Sequence, residues 1–190
     1  KIPLREALGR LEEQGLLSSH PNRGFFVPAL TAREAEEVFA LRLKIEPEAA
    51  ADASLAASDD EREAARRALI ALENADPDEP HASVRLNRSF HLALVLPGER
   101  PVTAQLVERL QVLAERYVRK HLEAAGRGAR AASEHRAILD AWLARDTVAV
   151  NRLMAEHIVT TLHDLRGQLE QIAADAPAKP PRKPRRRAAE

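Results

Sequence analysis

Residues 2–17 read Ile2-Pro3-Leu4-Arg5-Glu6-Ala7-Leu8-Gly9-Arg10-Leu11-Glu12-Glu13-Gln14-Gly15-Leu16-Leu17, followed shortly by Pro21-Asn22-Arg23-Gly24-Phe25-Phe26-Val27. The first stretch predicts a short helix. Pro3 suits its opening turn, where a missing N–H costs nothing, and Gly15 suits the left-handed position after its last turn. Leu4, Leu8 and Leu11 form an apolar stripe, while Arg5 and Arg10 project elsewhere. The second stretch predicts a tight hairpin with a basic, glycine-containing tip. A helix with a cationic N-terminal turn beside a basic β-wing is how a winged helix-turn-helix meets duplex DNA. Arg5 and Arg23 are therefore the candidate DNA contacts.

The next 140 or so residues read as helices separated by breakers. Thr31-Ala32-Arg33-Glu34 predicts a capping box, in which hydroxyl and carboxylate satisfy each other's backbone N–H groups. It opens a helix to about Ser54 with Val38, Leu41 and Ile45 on one face, and Pro47 is expected to kink or divide it. Ser58-Asp59-Asp60-Glu61 caps a helix to about Asn74, and Asp76-Pro77-Asp78-Glu79-Pro80 is a loop. A third helix covers roughly 81–96 and stops at Pro97-Gly98. Pro101 starts a fourth, to about Ala125, with Leu106, Leu110, Leu113 and Tyr117 in register. Gly126-Arg127-Gly128 breaks it; a fifth spans about 131–144, and Thr147 caps a sixth to about 170. The expected fold is all-α: a six-helix bundle over 29–170, preceded over 1–28 by the C-terminal part of a winged helix-turn-helix.

Composition supports this. Aromatic residues are only 3% of the chain while Ala and Leu abound, which favours helix over sheet. Hydrophobic content of 45% with 31% charged residues fits a folded domain with a core. No apolar run approaches bilayer length, and no signal-peptide pattern opens the chain, so a cytoplasmic protein without membrane association is expected. With no cysteine, disulfide scaffolds, thiolate nucleophiles and cysteine zinc sites are excluded. The net charge of zero hides a segregation: residues 176–190 carry +5 and the rest −5. DNA contact by an acidic body must be local. The Pro/Ala/Arg-rich stretch 171–190 has nothing apolar to pack and is expected to be a disordered basic tail.

Three histidines fall within apolar helical stripes. His91 lies between Val84 and Leu94, His135 shares a face with Ile138, Leu139 and Trp142, and His157 shares one with Val150, Met154, Ile158 and Thr161. Imidazoles directed inward from three helices can converge on one divalent cation; each taken singly also fits a hydrogen-bonded core residue. Asn87, one turn before His91, shares its face and can add an oxygen ligand. Glu134 and Glu156 adjoin these histidines, but helical neighbours point about 100° apart, so neither is expected to face the metal. Arg42 and Arg116 are candidate anchors for an anionic effector, since guanidinium pairs bidentately with carboxylate; both also fit solvated surface positions. His20, His81, His121 and His163 are expected on the surface or in loops.

The opening motif resembles the recognition helix of the GntR family, typically Pro-x-Arg-Glu-Ala-Leu-x-x-Leu-x-x-x-Gly-Leu. The match begins at residue 1, so an N-terminally truncated domain is implied. Six following helices resemble the FCD effector domain of the FadR-like branch, in its VanR-like subgroup. Such domains typically carry Asp-x-x-x-His, then Glu-His-x-x-Ile-Leu-x-Ala, then a histidine on the last helix. Here these read Asn87-Arg88-Ser89-Phe90-His91, Glu134-His135-Arg136-Ala137-Ile138-Leu139-Asp140-Ala141 and Glu156-His157. The resemblance implies His91, His135 and His157 as ligands of a divalent metal, zinc or nickel first. Asn87 stands where aspartate is usual and brings no charge; Arg100 stands where asparagine is frequent. Arg42 matches a recurrent arginine of the family's first helix.

The resemblance implies a bacterial, homodimeric, metabolite-responsive transcription regulator that binds operator DNA and a small organic acid. Two other readings stand beside it. A metal-dependent hydrolase on a helical bundle would need an open metal position and a positioned base. A helical interaction module would leave the three inward histidines as coincidence.

Overall fold

Gly15 adopts φ +71° and closes α1 (Ile2–Glu13). The Gly15 and Leu16 N–H groups donate to the carbonyls of Glu12 and Leu11 at 2.8 and 2.9 Å, the paired bonds of a Schellman motif. The structure is a computed structural model that describes residues 2–76, 79–122 and 127–175. Strands β1 (Ser18–His20) and β2 (Gly24–Phe26) pair antiparallel, with Ser18 opposite Phe26 and His20 opposite Gly24. Asn22 and Gly24 take φ of 61° and 87° at the tip. These are left-handed values that glycine and asparagine tolerate best, so the turn follows from its composition. Arg5 and Arg23 are exposed. In the α1 leucine stripe Leu4 is 67% exposed and Leu8 is half-buried, and no residue of the helix is fully buried.

Among the described residues six helices follow: α2 (Ala32–Ala56), α3 (Asp59–Glu73), α4 (Pro80–Val95), α5 (Pro101–Leu122), α6 (Arg127–Leu143) and α7 (Thr147–Asp175). A single 3-10 turn over Leu96–Gly98 ends α4. The all-α bundle is as the sequence predicts, and several boundaries are not. Pro47 does not divide α2; its ring is buried, and packing offsets the one lost i→i−4 bond. The full capping box forms at Ser58, with the Glu61 carboxylate accepting from the Ser58 N–H at 2.9 Å. At Thr31 its hydroxyl accepts from the Glu34 N–H at 3.1 Å. Helix α6 starts at Arg127, not near 131, and takes Gly128 into its first turn. Asp146, not Thr147, caps α7, its carboxylate accepting from the Ala149 N–H at 3.0 Å. Helix α7 runs on to Asp175, so residues 171–175 are helix and not tail; residues 176–190 lie outside the described part. Among the described residues, no helix is long and apolar enough to cross a membrane.

Helix α2 is the spine, packing most extensively on α7 and then on α5. Its inner face is built of alanines, with Ala35, Ala50 and Ala53 wholly buried, which lets neighbouring backbones come close. Larger side chains fill the space further out: Phe39, Phe90, Leu94, Ile138, Trp142, Met154, Ile158 and Leu165. The Trp142 indole N–H satisfies the Leu94 carbonyl at 3.0 Å. Arg62 ties two helix ends together. Its guanidinium donates to Ser54 and Ala57 at the end of α2 and to Leu143 at the end of α6, at 2.9, 3.2 and 3.0 Å. These carbonyls have no intrahelical partner. Replacing Arg62 with alanine strands them, and urea unfolding should show a loss of about 2 kcal/mol. Lysine should restore only part of this, because it lacks the fork that reaches three carbonyls at once.

Candidate metal centre

His91 on α4, His135 on α6 and His157 on α7 meet inside the bundle. Each offers a ring nitrogen, and the three nitrogens lie within 4.8 Å of one another. Ring centroids are 5.4 Å apart for His91 and His135, 5.3 Å for His91 and His157, and 4.7 Å for His135 and His157. All three side chains are buried. Both nitrogens of His91 and Nε2 of His135 have no hydrogen-bond partner among the described residues. Buried polar atoms are normally satisfied, so an unpaired nitrogen on each of these two rings, within 4.8 Å of a nitrogen of His157, is what a metal centre would use. The donor set suits borderline cations such as zinc and nickel. Asn87 is buried one turn before His91.

Charge state agrees with ligation. Burial, then the proximity of His157, His135 and Arg42, holds the His91 imidazole well below its usual value. Burial, then His157 and Arg42, does the same for His135. Both rings are thus neutral near pH 7, as a ligand must be.

Glu46 and Gln111, which the sequence does not single out, and Glu134, which it expects to turn away from the metal, complete the surroundings. Arg42 is buried and forms a fork with Glu46, at 2.7 and 3.1 Å. The Gln111 amide on α5 donates to the same carboxylate at 2.9 Å. Glu46 Oε2 stands 3.8 Å from His91 Nδ1, too far for a hydrogen bond. The signal for Glu46 was its i+4 spacing from Arg42; Gln111 had none. The third is Glu134, whose carboxylate lies 2.7 Å from His157 Nδ1 although helical spacing turns it away from His135.

Arg116 is placed elsewhere. Its guanidinium donates to the Pro28 carbonyl, in the link between wing and bundle. Arg109, two turns before it, donates to the Glu13 carbonyl at the end of α1 at 2.8 Å. Burial, with Glu34 beside it, pushes the neighbouring Tyr117 phenol up to about 12. His20, His81 and His163 are exposed, as expected, and the His121 side chain lies outside the described part.

An all-α bundle with three converging imidazoles, behind a helix and winged hairpin, defines the class. A family model described as the FCD domain matches residues 37–160, and the chain belongs to that family. It is 29% identical over 170 residues to the HTH-type transcriptional repressor GlaR of Escherichia coli (strain K12), covering 84% of this chain and 77% of that protein. It is 33% identical over 95 residues to the Nta operon transcriptional regulator of Aminobacter aminovorans, covering 50% and 45%. The chain thus spans less than half the length of some curated relatives that it matches. Among solved structures, a GntR-family transcriptional regulator from Pseudomonas syringae pv. tomato superposes with a TM-score of 0.68 at 28% identity, over 92% of this chain and 73% of that one.

Neutral burial of His91 and His135 sets a pH dependence for the metal-free protein. The unfolded chain takes up protons at these positions near pH 6.5, while the folded chain does not until well below that value. The stabilising contribution is therefore complete above about pH 6.5 and declines as pH falls toward the folded-state values. The urea midpoint should be flat from pH 8 to 7 and fall from 6.5 to 5. Double substitution of His91 and His135 by glutamine should flatten that fall.

Proposed function

We propose that this protein is a metabolite-responsive, DNA-binding transcription regulator that acts as a homodimer in the bacterial cytoplasm. In this reading α1 and its wing contact operator DNA through Arg5 and Arg23, and the bundle binds a divalent metal and a small carboxylate effector. The observation that carries it is the convergence of His91, His135 and His157 with orphaned nitrogens, in a family whose named relatives are regulators. Asn87 would add a carbonyl oxygen without charge. The metal would supply a positive centre that attracts and orients an anionic effector group.

Arg42 is the guanidinium assigned to that effector, and its present partner is Glu46. An incoming carboxylate must share or replace this pair, and Gln111 on α5 would feel the change through Glu46. The same helix carries Arg109 and Arg116, which hold Glu13 and Pro28. Effector binding could therefore bias the seating of α1 on α5, provided the effector binds one arrangement better than the other. Arg116, expected from sequence as a second effector anchor, is assigned here to the linker instead. The hydrolase reading loses its base: Glu134 is engaged with His157 and Arg130, and Glu156 pairs with Arg152 at the surface.

Native mass spectrometry with metal analysis tests the centre. One zinc or nickel ion per chain is expected, His157→Ala should remove it, and His163→Ala should not. Because a bound metal selects the folded state, chelation should lower the melting temperature. Protein that holds no metal, takes up none, and melts identically with chelator would overturn the reading. For DNA, Arg5→Ala and Arg23→Ala, made in the full-length protein, should each weaken operator binding by about 1–3 kcal/mol at fixed salt. Unchanged affinity in both would remove the assignment.

A further inference from the structure

Glu134 precedes His135 on α6, and its side chain leaves its own helix to reach α7. Its Oε2 lies 2.7 Å from His157 Nδ1. A carboxylate can only accept there, so in the neutral ring the Nδ1–H tautomer is selected and the lone pair lies on Nε2. Nε2 is then the nitrogen of His157 available to the shared point. The other carboxylate oxygen, Oε1, is 3.3 Å from the guanidinium of Arg130, one turn earlier on α6. Arg130 in turn bonds Asp164 on α7. The carboxylate is thus gripped from its own helix and from the facing one, and its angle to the imidazole is fixed on both sides.

The geometry points to Glu134 as a positioning residue for the metal: through His157 Nδ1 it sets the tautomer, ring orientation and basicity of the ligand on α7. This rests on the metal reading above and assigns a part in it to a residue that touches no metal. Adjacent residues on α6 then serve one centre in two ways, His135 directly and Glu134 by way of the helix opposite. Glu156 is the natural comparison. It adjoins His157 in sequence as Glu134 adjoins His135, yet it is exposed and pairs with Arg152 at 3.0 Å.

Two measurements on the full chain test this. In metal-free protein, long-range ¹H–¹⁵N correlations should show His157 as the Nδ1–H tautomer. Glu134→Ala should convert it to a mixture, and Glu134→Gln, whose amide oxygen still accepts, should largely keep it. In competition with a chromogenic chelator, Zn²⁺ affinity should fall about 10- to 100-fold in Glu134→Ala, less in Glu134→Gln, and not in Glu156→Ala. The isosteric glutamine guards against a variant that fails only by unfolding, and far-UV circular dichroism checks each. If wild-type protein binds Zn²⁺ and Glu134→Ala binds it equally well, the positioning role is overturned and the metal centre stands. The role also falls if His157 keeps its tautomer in Glu134→Ala. Wild-type protein that takes up no Zn²⁺ overturns the metal reading and this role together.

Discussion

Three imidazoles, two of them held neutral by burial, occupy the middle of a bundle whose interior is otherwise mostly apolar, beside the buried Arg42–Glu46–Gln111 group. Each sits on a different helix, so the relative rotation of α4, α6 and α7 is constrained by where three rings must meet. The rest of the interior supports that demand. The alanine face of α2 lets the surrounding helices draw in, and the Phe90 ring packs against His91 and His135, with centroids 5.8 and 5.1 Å away. Burial makes a protonated imidazole costly, and a neutral one with nothing to bond is costly as well. The cluster is stable as a set of lone pairs only at the expense of unsatisfied groups. That cost is the physical reason to expect a guest.

Much of this could be read from the chain. Histidines at core positions of helical stripes announced an inward direction, and Ser58 and Gly15 marked their helix ends through local chemistry that needs no tertiary context. The failures have a common cause. Pro47 stays inside α2 because burial of its ring outweighs a local penalty, and Gly128 joins α6 because the helix is set by what it packs against. Thr147 and Asp146 are both plausible caps by type, and only backbone geometry chooses between them. Glu134 reaches its partner on α7, which side-chain direction along α6 alone does not reveal.

Two arginines illustrate the same limit. Arg42 and Arg116 look alike in sequence as cations on helices. The fold buries one in a fork with Glu46 beside the imidazoles and sends the other to the Pro28 carbonyl. The guanidinium geometry that suits a carboxylate suits a backbone carbonyl equally, so the residue type leaves its partner open. The result is that α5 contacts the polar centre through Gln111 and the wing unit through Arg109 and Arg116. A single rigid element therefore borders both regions.

The Arg42–Glu46 pair has a kinetic consequence. It is buried, bonded on two sides and held further by Gln111. A ligand that replaces Glu46 on Arg42 cannot simply arrive; the fork must first part, and that event does not depend on how much ligand is present. Association through this route would level off at high ligand concentration, at the frequency with which the pair opens. Added salt would slow it little, since screening acts weakly on charges already withdrawn from water. The response time of a site that worked by such displacement would be written into one internal ion pair, whatever the abundance of its ligand.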